Sequence, residues 1–121
     1  MIRRIALTTA ALTLLAGSAF AKCTLTLRFT NNNAAAATVL GSSSQVRVNG
    51  GLWSKMNFNN VVVQPGATGV ASWTTNMSCG GDAKRDFRIK YEDQGDNATY
   101  QENKDNIDIF DGQTLTFVLE H

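Results

Sequence analysis

Apolar and polar residues alternate with a period of two along most of the chain beyond Lys22. In the first alternating segment, Leu25 and Leu27 fall on one side and threonines fall on the other. This period predicts β-strands that bury one face and expose the other. The segments that share it are 23–30, 45–48, 71–79, 85–92, 107–109 and 115–119. Val61–Val63 is instead a continuous apolar run, which predicts a short and more deeply buried strand.

Turn-forming residues separate these segments at short intervals. They are clusters of glycine, asparagine, aspartate and serine, with the one proline, at 31–33, 41–44, 49–51, 65–66, 80–82, 94–97 and 111–112. Such residues supply positive φ angles or the fixed φ of proline at turn corners. About seven or eight short strands at this spacing predict an all-β fold, a small antiparallel β-sandwich, although a small barrel shares the pattern. Ala34–Leu40 is rich in alanine but has no polar face, so we interpret it as a loop leading into a strand.

The first segment of the chain has the layout of a secretory signal peptide. Two arginines open it, an apolar and uncharged run follows over residues 5–16, and Ala19 and Ala21 supply the small residues before the cleavage position. We therefore divide the chain into a signal peptide, 1–21, and one mature domain, 22–121, and expect it to be periplasmic or secreted. No later segment approaches the ~20 consecutive apolar residues of a membrane-spanning helix.

The two cysteines of the chain predict one disulfide. Cys23 opens the first strand and Cys79 closes the segment around Trp73, and both lie on the apolar side of their segments. In an exported chain, two cysteines without CxxC spacing are typical of a structural disulfide. We therefore expect a Cys23–Cys79 bond that joins the first strand to the end of the Trp73 strand.

The charge of the chain argues against one class of partner. Without the two arginines of the signal peptide, the eleven Lys+Arg fall to nine, against ten Asp+Glu, so the mature domain is close to neutral. A nucleic-acid-binding protein needs a strongly basic face, which this balance does not favour. Residues 22–81 contain cations but no acid, and all the acids lie in 82–121. This segregation predicts a charge dipole, unless neighbouring strands interleave the two parts.

The available side chains do not favour an enzyme. The one histidine, His121, is the last residue printed, where fraying is expected. A serine or cysteine nucleophile would therefore have no credible base, and zinc would lack ligands. A pair of carboxylates acting as acid and base stays open as a distant third alternative for the function.

Acidic residues in the C-terminal part raise the question of calcium. Those concerned are Glu92, Asp93, Asp96, Asp105, Asp108 and Asp111. Oxygen-rich loops suit a hard cation, but the spacing does not match that of an EF-hand. We interpret these residues as turn formers with solvated charges and expect no cofactor, with calcium as the weaker alternative.

Two sets of residues are candidates for binding, and each favours a different partner. Arg85, Arg88 and Lys90 are expected to form an exposed charged face, which favours a protein partner in an inhibitor, immunity or assembly role. Trp53, beside Lys55 and near many asparagines, has the apolar face and N–H donor that suit a glycan or lipid surface, although it would equally cover one end of the core. We expect a non-catalytic recognition protein, with a protein partner as the leading hypothesis and a glycan or membrane lipid as the alternative.

Part of the chain resembles a known family. The run Val63-Gln64-Pro65-Gly66, followed by Ser78-Cys79-Gly80 and Phe87-Arg88-Ile89, is similar to part of the aegerolysin family, and this region is about a quarter of the chain. The resemblance implies a small β-sandwich that recognises membrane lipids and that acts, in some members, with a pore-forming partner. After Gly80 the glycine-rich continuation of the family is replaced by Asp82-Ala83-Lys84-Arg85.

Overall fold

The computed structural model describes residues 22–80 and 83–121, so the predicted signal peptide lies outside the described residues. All regular elements in these two ranges are β-strands, which confirms the all-β prediction. The nine strands are β1 Lys22–Asn31, β2 Ala37–Val39, β3 Gln45–Val48, β4 Ser54–Lys55, β5 Val61–Val63, β6 Thr68–Ser78, β7 Lys84–Asp93, β8 Thr99–Asp108 and β9 Thr114–Leu119. The count exceeds the seven or eight expected because three of the strands are only two or three residues long.

The smaller sheet has the strand order β6-β1-β9, with β1 at its centre. β1 runs antiparallel to β6, where Leu25 lies opposite Trp73, and parallel to β9, where Phe29 lies opposite Phe117. The alternation predicted for β1 is confirmed, because Leu25, Leu27 and Phe29 are buried between exposed neighbours. The parallel β1–β9 pair departs from the antiparallel expectation. Alternation does not distinguish the two arrangements, since side chains alternate in both.

The larger sheet is built around β7. β2 and β3 pair end to end along one edge of β7, β8 pairs along its other edge, and β5 and β4 extend the sheet beyond β2 and β3. Between β2 and β3 the chain turns at Gly41, where a Cβ would stand 1.7 Å from the Phe58 carbonyl oxygen, so the close approach requires glycine. The segment Ala34–Leu40 contains no helix: residues 34–36 are a loop that leads into β2, as predicted, and Leu40 follows the strand.

The core lies between the inward faces of the two sheets and is rich in aromatic side chains. Phe29 stacks on Phe117 with ring centroids 5.9 Å apart, and Phe87 meets Trp73 edge to face at 5.8 Å. Trp73 is buried, and its indole N–H donates to the Met56 carbonyl at 3.1 Å. Aromatic pairs of this kind add about 0.5–1.5 kcal/mol each beyond the burial of their area. This packing fixes the distance between the sheets, and with it the positions of the inward-facing residues of β7.

Two strands differ from the prediction. Val61–Val63 is not deeply buried: Val63 is buried but Val62 is 56% exposed, because β5 lies at the edge of the larger sheet. The alternation indicated only residues 107–109 in the region where β8 begins at Thr99. β8 pairs with β7 alone, so much of its surface is in solvent and its sequence needs no apolar side.

Cys23 and Cys79 form the predicted disulfide, and their Cα atoms are 5.9 Å apart. The bond joins the beginning of β1 to the residue that follows β6, so it closes one end of the smaller sheet. Disulfides persist in oxidising compartments, so this bond indicates an extracytoplasmic environment. In the described part of the chain, no helix has the length and hydropathy required to cross a bilayer.

Candidate functional site

Several cations lie on the outward side of the larger sheet, of which Lys84, at the beginning of β7, is paired with Asp108. Because side chains alternate along β7, Arg88 and Lys90 point away from the core while their neighbours point into it. In β4, Lys55 lies opposite Gln45, and Gln45 in turn lies opposite Arg88, so the three residues form one row across the sheet. We define the cationic face as Arg47, Lys55, Arg88, Lys90 and Trp53.

Trp53 packs against two of these cations. The guanidinium carbon of Arg88 lies 3.8 Å from the centroid of the Trp53 ring, and that of Arg47 lies 4.6 Å from it. These are cation–π contacts, which contribute about 0.5–1 kcal/mol each at exposed sites. Trp53 is half-buried and lies outside the buried core cluster, so it supports the two arginines rather than covering the core.

A tight turn positions Trp53 on this face. Asn49 and Gly50, between β3 and Trp53, have φ angles of 49° and 71°, which are the left-handed values that an Asn-Gly turn supplies. The Asn49 N–H donates to the Lys84 carbonyl, and the Asn49 Oδ1 accepts from the Lys84 N–H, both at 2.8 Å. These two hydrogen bonds tie the turn to the beginning of β7, so the sequence Asn-Gly determines where the indole is held.

Asp86 neutralises one cation of the face. Its Oδ2 lies 2.7 Å from the Arg47 Nε, and its Oδ1 accepts from the Asn106 N–H at 2.8 Å. The hydrogen bond from Asn106 and then that from Arg47 lower the pKa of Asp86 below its ordinary value. Within residues 22–80 and 83–121, the other three cations of the face have no carboxylate within 4.0 Å. The cationic face therefore carries three positive charges that are free to meet an anion.

Arg85 is not part of this face, contrary to the prediction. It lies on the inward side of β7 with Phe87 and is only 3% exposed. The period of two explains the correction: Arg85 and Arg88 are an odd number of positions apart, so their side chains point to opposite faces. Arg85 instead lines a groove of about 230 Å³ between the two sheets, which we name the Arg85 groove. Its lining residues are Val46, Arg47, Val48, Leu52, Ser54, Trp73, Thr75, Met77 and Arg85.

The guanidinium of Arg85 is only partly satisfied. Its Nη2 donates to the Ser78 carbonyl at 3.2 Å, whereas its Nη1 is buried and has no hydrogen-bond partner among the residues that the structure describes. Burial lowers the pKa of Arg85 from its ordinary value, because desolvation disfavours the charged form. Two apolar side chains of the groove remain in solvent, Leu52 at 92% and Met77 at 60% exposure. The groove thus combines a buried cation with an exposed apolar rim.

The other end of β7 places Asp93 beside His121. Asp93 is buried, and its Oδ2 lies 3.0 Å from the His121 Nε2. The His121 Nδ1 lies 3.2 Å from the Tyr91 hydroxyl, and the His121 ring stacks on Tyr100 at a centroid distance of 3.5 Å. Because an ionised carboxylate can only accept a hydrogen bond, the His121 Nε2–H is the donor to Asp93. In the neutral imidazole, Nδ1 then accepts the hydrogen bond from the Tyr91 hydroxyl. Three contacts hold His121, so the expectation that it frays is wrong.

Asp93, Asp96 and His121 lie close together: each offers one potential metal ligand, and these atoms are within 4.8 Å of one another. We name these residues, with Tyr91 and Tyr100, the Asp93 cluster. Its acids already have donors, since Asp93 Oδ1 accepts from the Gly95 N–H at 2.7 Å and Asp96 accepts from the Tyr100 hydroxyl. An imidazole suits a transition metal better than calcium, which prefers oxygen ligands. The side chains of the Asp93 cluster thus already have hydrogen-bond partners within the protein, and a metal ion could bind only by breaking these hydrogen bonds.

Other acids suggested for calcium lie elsewhere. Asp108 pairs with Lys84 at 2.6 Å, and Asp111 accepts from the Thr24 N–H at 2.9 Å. Each carboxylate thus contacts a group of the chain itself.

The structure brings most of the predicted binding residues together. Those on the cationic face are Trp53, Lys55, Arg88 and Lys90, whereas Arg85 lies in the groove. Arg47, which belongs to both surfaces, was missed by the sequence analysis. Its position on the polar side of an alternating strand indicated exposure, but only the pairing of β3 with β7 brings it beside Arg88.

The chain matches no known protein-family model, no curated protein and no solved structure. The aegerolysin resemblance therefore stays a prediction from three short runs of residues. The interpretation of the site rests on its own geometry.

Proposed function

We propose that this chain is an exported, non-catalytic recognition protein that binds an acidic surface of another protein through its cationic face. The observation that carries the proposal is the set of three cations on one side of the larger sheet that have no carboxylate partner among the described residues, one of which, Arg88, lies over the half-buried Trp53. These side chains project from paired strands, so little additional ordering is needed when a partner binds. The side chains of the face bind anions but supply no general base at neutral pH, which favours binding over catalysis.

The contacts of Trp53 favour a protein partner over a glycan. Two guanidinium groups of the chain already lie over the Trp53 ring, so part of the aromatic surface that a sugar would stack on is already in use. Arginine and tryptophan are also the residues that most often dominate the binding energy of protein interfaces. A planar guanidinium held against an aromatic ring is positioned for two parallel hydrogen bonds to a carboxylate. The arrangement therefore fits acidic side chains of a partner better than sugar hydroxyls.

The proposal is tested by capture with a matched pair of charge reversals. Tagged mature protein, its Arg88→Glu/Lys90→Glu variant and its Arg28→Glu variant are each incubated with envelope and culture-medium fractions of the producing cell. Arg28 is an exposed cation on the outward side of β1, in the opposite sheet, and serves as the control. We expect one stoichiometric partner with wild type and Arg28→Glu, and a loss of affinity of about tenfold or more with the double variant and at high salt.

Two results would contradict the proposal. A partner retained equally by all three proteins would mean that the cationic face is not the interface. Binding of the wild type to vesicles of anionic phospholipid, with no protein partner captured, would instead favour the lipid alternative. The thermal transitions of the three proteins are compared first, so that a loss of folding is not mistaken for a loss of binding.

A further inference from the structure

The Arg85 groove contains a buried charge that the fold leaves without a counter-ion. Arg85 is 3% exposed, and in the described residues no carboxylate lies within 4.0 Å of it. Its Nη1 is buried without any hydrogen-bond partner. A buried guanidinium is ordinarily paired, because an unpaired charge loses its hydration and gains nothing in return. This one therefore requires a separate explanation.

The lining of the groove defines what would complete it. Apart from Arg85 and Arg47, its large side chains are apolar, and these come from both sheets: Val46 and Val48 from β3, Trp73 from β6. The Arg47 guanidinium is already paired with Asp86, so Arg85 is the cation left for a ligand. An anion that carries an apolar group would pair with the charge of Arg85 and pack against the apolar side chains that line the groove.

The size of the groove and its rim restrict the ligand further. A volume of about 230 Å³ is smaller than the ~300–1,000 Å³ pockets that hold drug-sized molecules, so the groove takes a compact ligand or the end of a longer one. Leu52 and Met77 are largely exposed, although large apolar side chains gain free energy by burial. Met77 has a flexible thioether side chain, which can adapt to the shape of a ligand.

We propose that the Arg85 groove binds a carboxylate that carries a compact apolar group, with the carboxylate on the Arg85 guanidinium and the apolar group between Leu52 and Met77. Two sources share this chemistry: a free short-chain carboxylic acid and the C-terminal carboxylate of a peptide that ends in an apolar residue. The binding is non-covalent. It does not depend on the proposed function, because Arg85 lies on the inward side of β7, whereas Arg88 and Lys90 lie on the outward side. Arg47 borders both surfaces but is already paired with Asp86.

Titration with defined probes tests the proposal. Hexanoate is compared with hexan-1-ol, which has the same apolar chain but no charge. A peptide ending in leucine with a free carboxylate is compared with the same peptide amidated. Binding is followed by the Nε–H resonance of Arg85 and by the shift in melting temperature. We expect saturable binding of at least one carboxylate, and its neutral counterpart to bind about tenfold or more weakly, because a charge-assisted hydrogen bond is lost.

Variants locate the binding. Arg85→Met is expected to remove the discrimination between each carboxylate and its neutral counterpart. Arg28→Met, which removes an exposed cation of β1 in the opposite sheet, is expected to keep it. Binding by hexanoate alone would identify a free acid as the source, and binding by the peptide alone would identify a chain terminus. No saturable binding of either carboxylate, or equal discrimination by wild type and Arg85→Met, would overturn the proposal.

A residue of the chain itself is the remaining rival for the Arg85 guanidinium. Asp82 precedes Arg85 by three positions in the sequence and lies outside the described residues. The titration is therefore repeated with Asp82→Asn. Similar carboxylate binding by wild type and Asp82→Asn supports a ligand site. Binding by Asp82→Asn together with none by wild type would overturn it and identify Asp82 as the counter-ion.

Discussion

β7 buries a charged residue at each of its two ends, and the two ends satisfy that charge to different degrees. At the C-terminal end, Asp93 receives a hydrogen bond from the Gly95 N–H and contacts His121. At the N-terminal end, Arg85 has one hydrogen bond to a carbonyl and a nitrogen with no partner among the residues that the structure describes. Both residues point inward, and both are at most 5% exposed. Partners offset the desolvation cost of a buried charge, so their removal is destabilising, whereas a buried charge without partners costs stability and suggests a ligand.

The disulfide at the Arg85 end is expected to give the largest effect. Cys79 follows Ser78, whose carbonyl holds Arg85, so the Cys23–Cys79 bond keeps this end of the sandwich closed. A bond across 56 positions contributes about 4 kcal/mol on the loop-entropy model, which is comparable to the whole stability of a small domain. In calorimetry, Cys23→Ser/Cys79→Ser is therefore expected to lose most of its cooperative thermal transition. An unchanged melting temperature would show that the bond is not structural.

Removal of the satisfied charge is expected to destabilise the protein strongly. Asp93→Ala deletes the acceptor for the Gly95 N–H and the partner of His121, so the unfolding free energy is expected to fall by about 2–3 kcal/mol. Urea denaturation measures the change. Asp105→Ala is the matched control, because Asp105 is an exposed acid of β8. If both substitutions have the same small effect, Asp93 contributes no more than a solvated carboxylate and the contrast between the two ends fails.

Removal of the unsatisfied charge is expected to have the opposite sign. Arg85→Met keeps the apolar length of the side chain and removes a cation that lacks a counter-ion, so stability is expected to stay equal or to rise by about 1 kcal/mol. Arg88→Met, in the same strand, loses its cation–π contact with Trp53 and is expected to lose about 0.5–1 kcal/mol. Urea denaturation in the absence of ligand compares the two. A loss of stability in Arg85→Met larger than that in Arg88→Met would show that Arg85 is paired in the native protein.

The sequence analysis predicted the strands better than it predicted the surfaces they form. The all-β fold, the disulfide and the buried Trp73 follow from period-two alternation and the positions of two cysteines. The same alternation contained the information that Arg85 lies with Phe87 rather than with Arg88. The position of Arg85 was predicted wrongly because charged side chains are usually exposed. A cation at a ligand site does not follow this rule.

Other features depend on pairings between distant segments. Arg47 contacts Trp53 only because β3 lies beside β7, and Asp93 meets His121 only because the segment that follows β9 returns to the end of β7. β8 is a long strand without an apolar side, since it pairs with β7 alone. No local pattern shows such pairings, because a single strand looks the same whichever neighbour it has.

The two ends of β7 are also expected to differ in how they make the stability depend on pH, and this is the smallest of the expected effects. In the Asp93 cluster, the hydrogen bond to Asp96 raises the pKa of Tyr100 to about 12 from an ordinary 10.0, and the same bond is the main cause of the lowered pKa of Asp96. A group whose pKa is higher in the folded state contributes stability below its unfolded pKa and loses it as the pH rises through the folded value. Stability from Tyr100 is therefore expected to be complete below about pH 10 and to disappear towards pH 12. The contribution of Asp96 to stability has the opposite pH dependence: it is present at higher pH and is lost as the pH falls below about 4.

The Tyr100→Phe variant tests this difference directly. Its unfolding free energy is expected to depend less on pH than that of wild type at both extremes, because the variant has no phenol to titrate and no donor for Asp96. Absorbance of tyrosinate follows the titration, and urea denaturation at several pH values follows stability. Arg85→Met is the matched control from the other end of β7 on the acid side, and its pH profile is expected to parallel that of wild type between about pH 3 and pH 7, because an arginine keeps its charge over this range. If Tyr100 titrates near its ordinary pKa and Tyr100→Phe follows the wild-type profile, the bond to Asp96 does not persist in solution, and the Asp93 cluster is less completely satisfied than its geometry indicates.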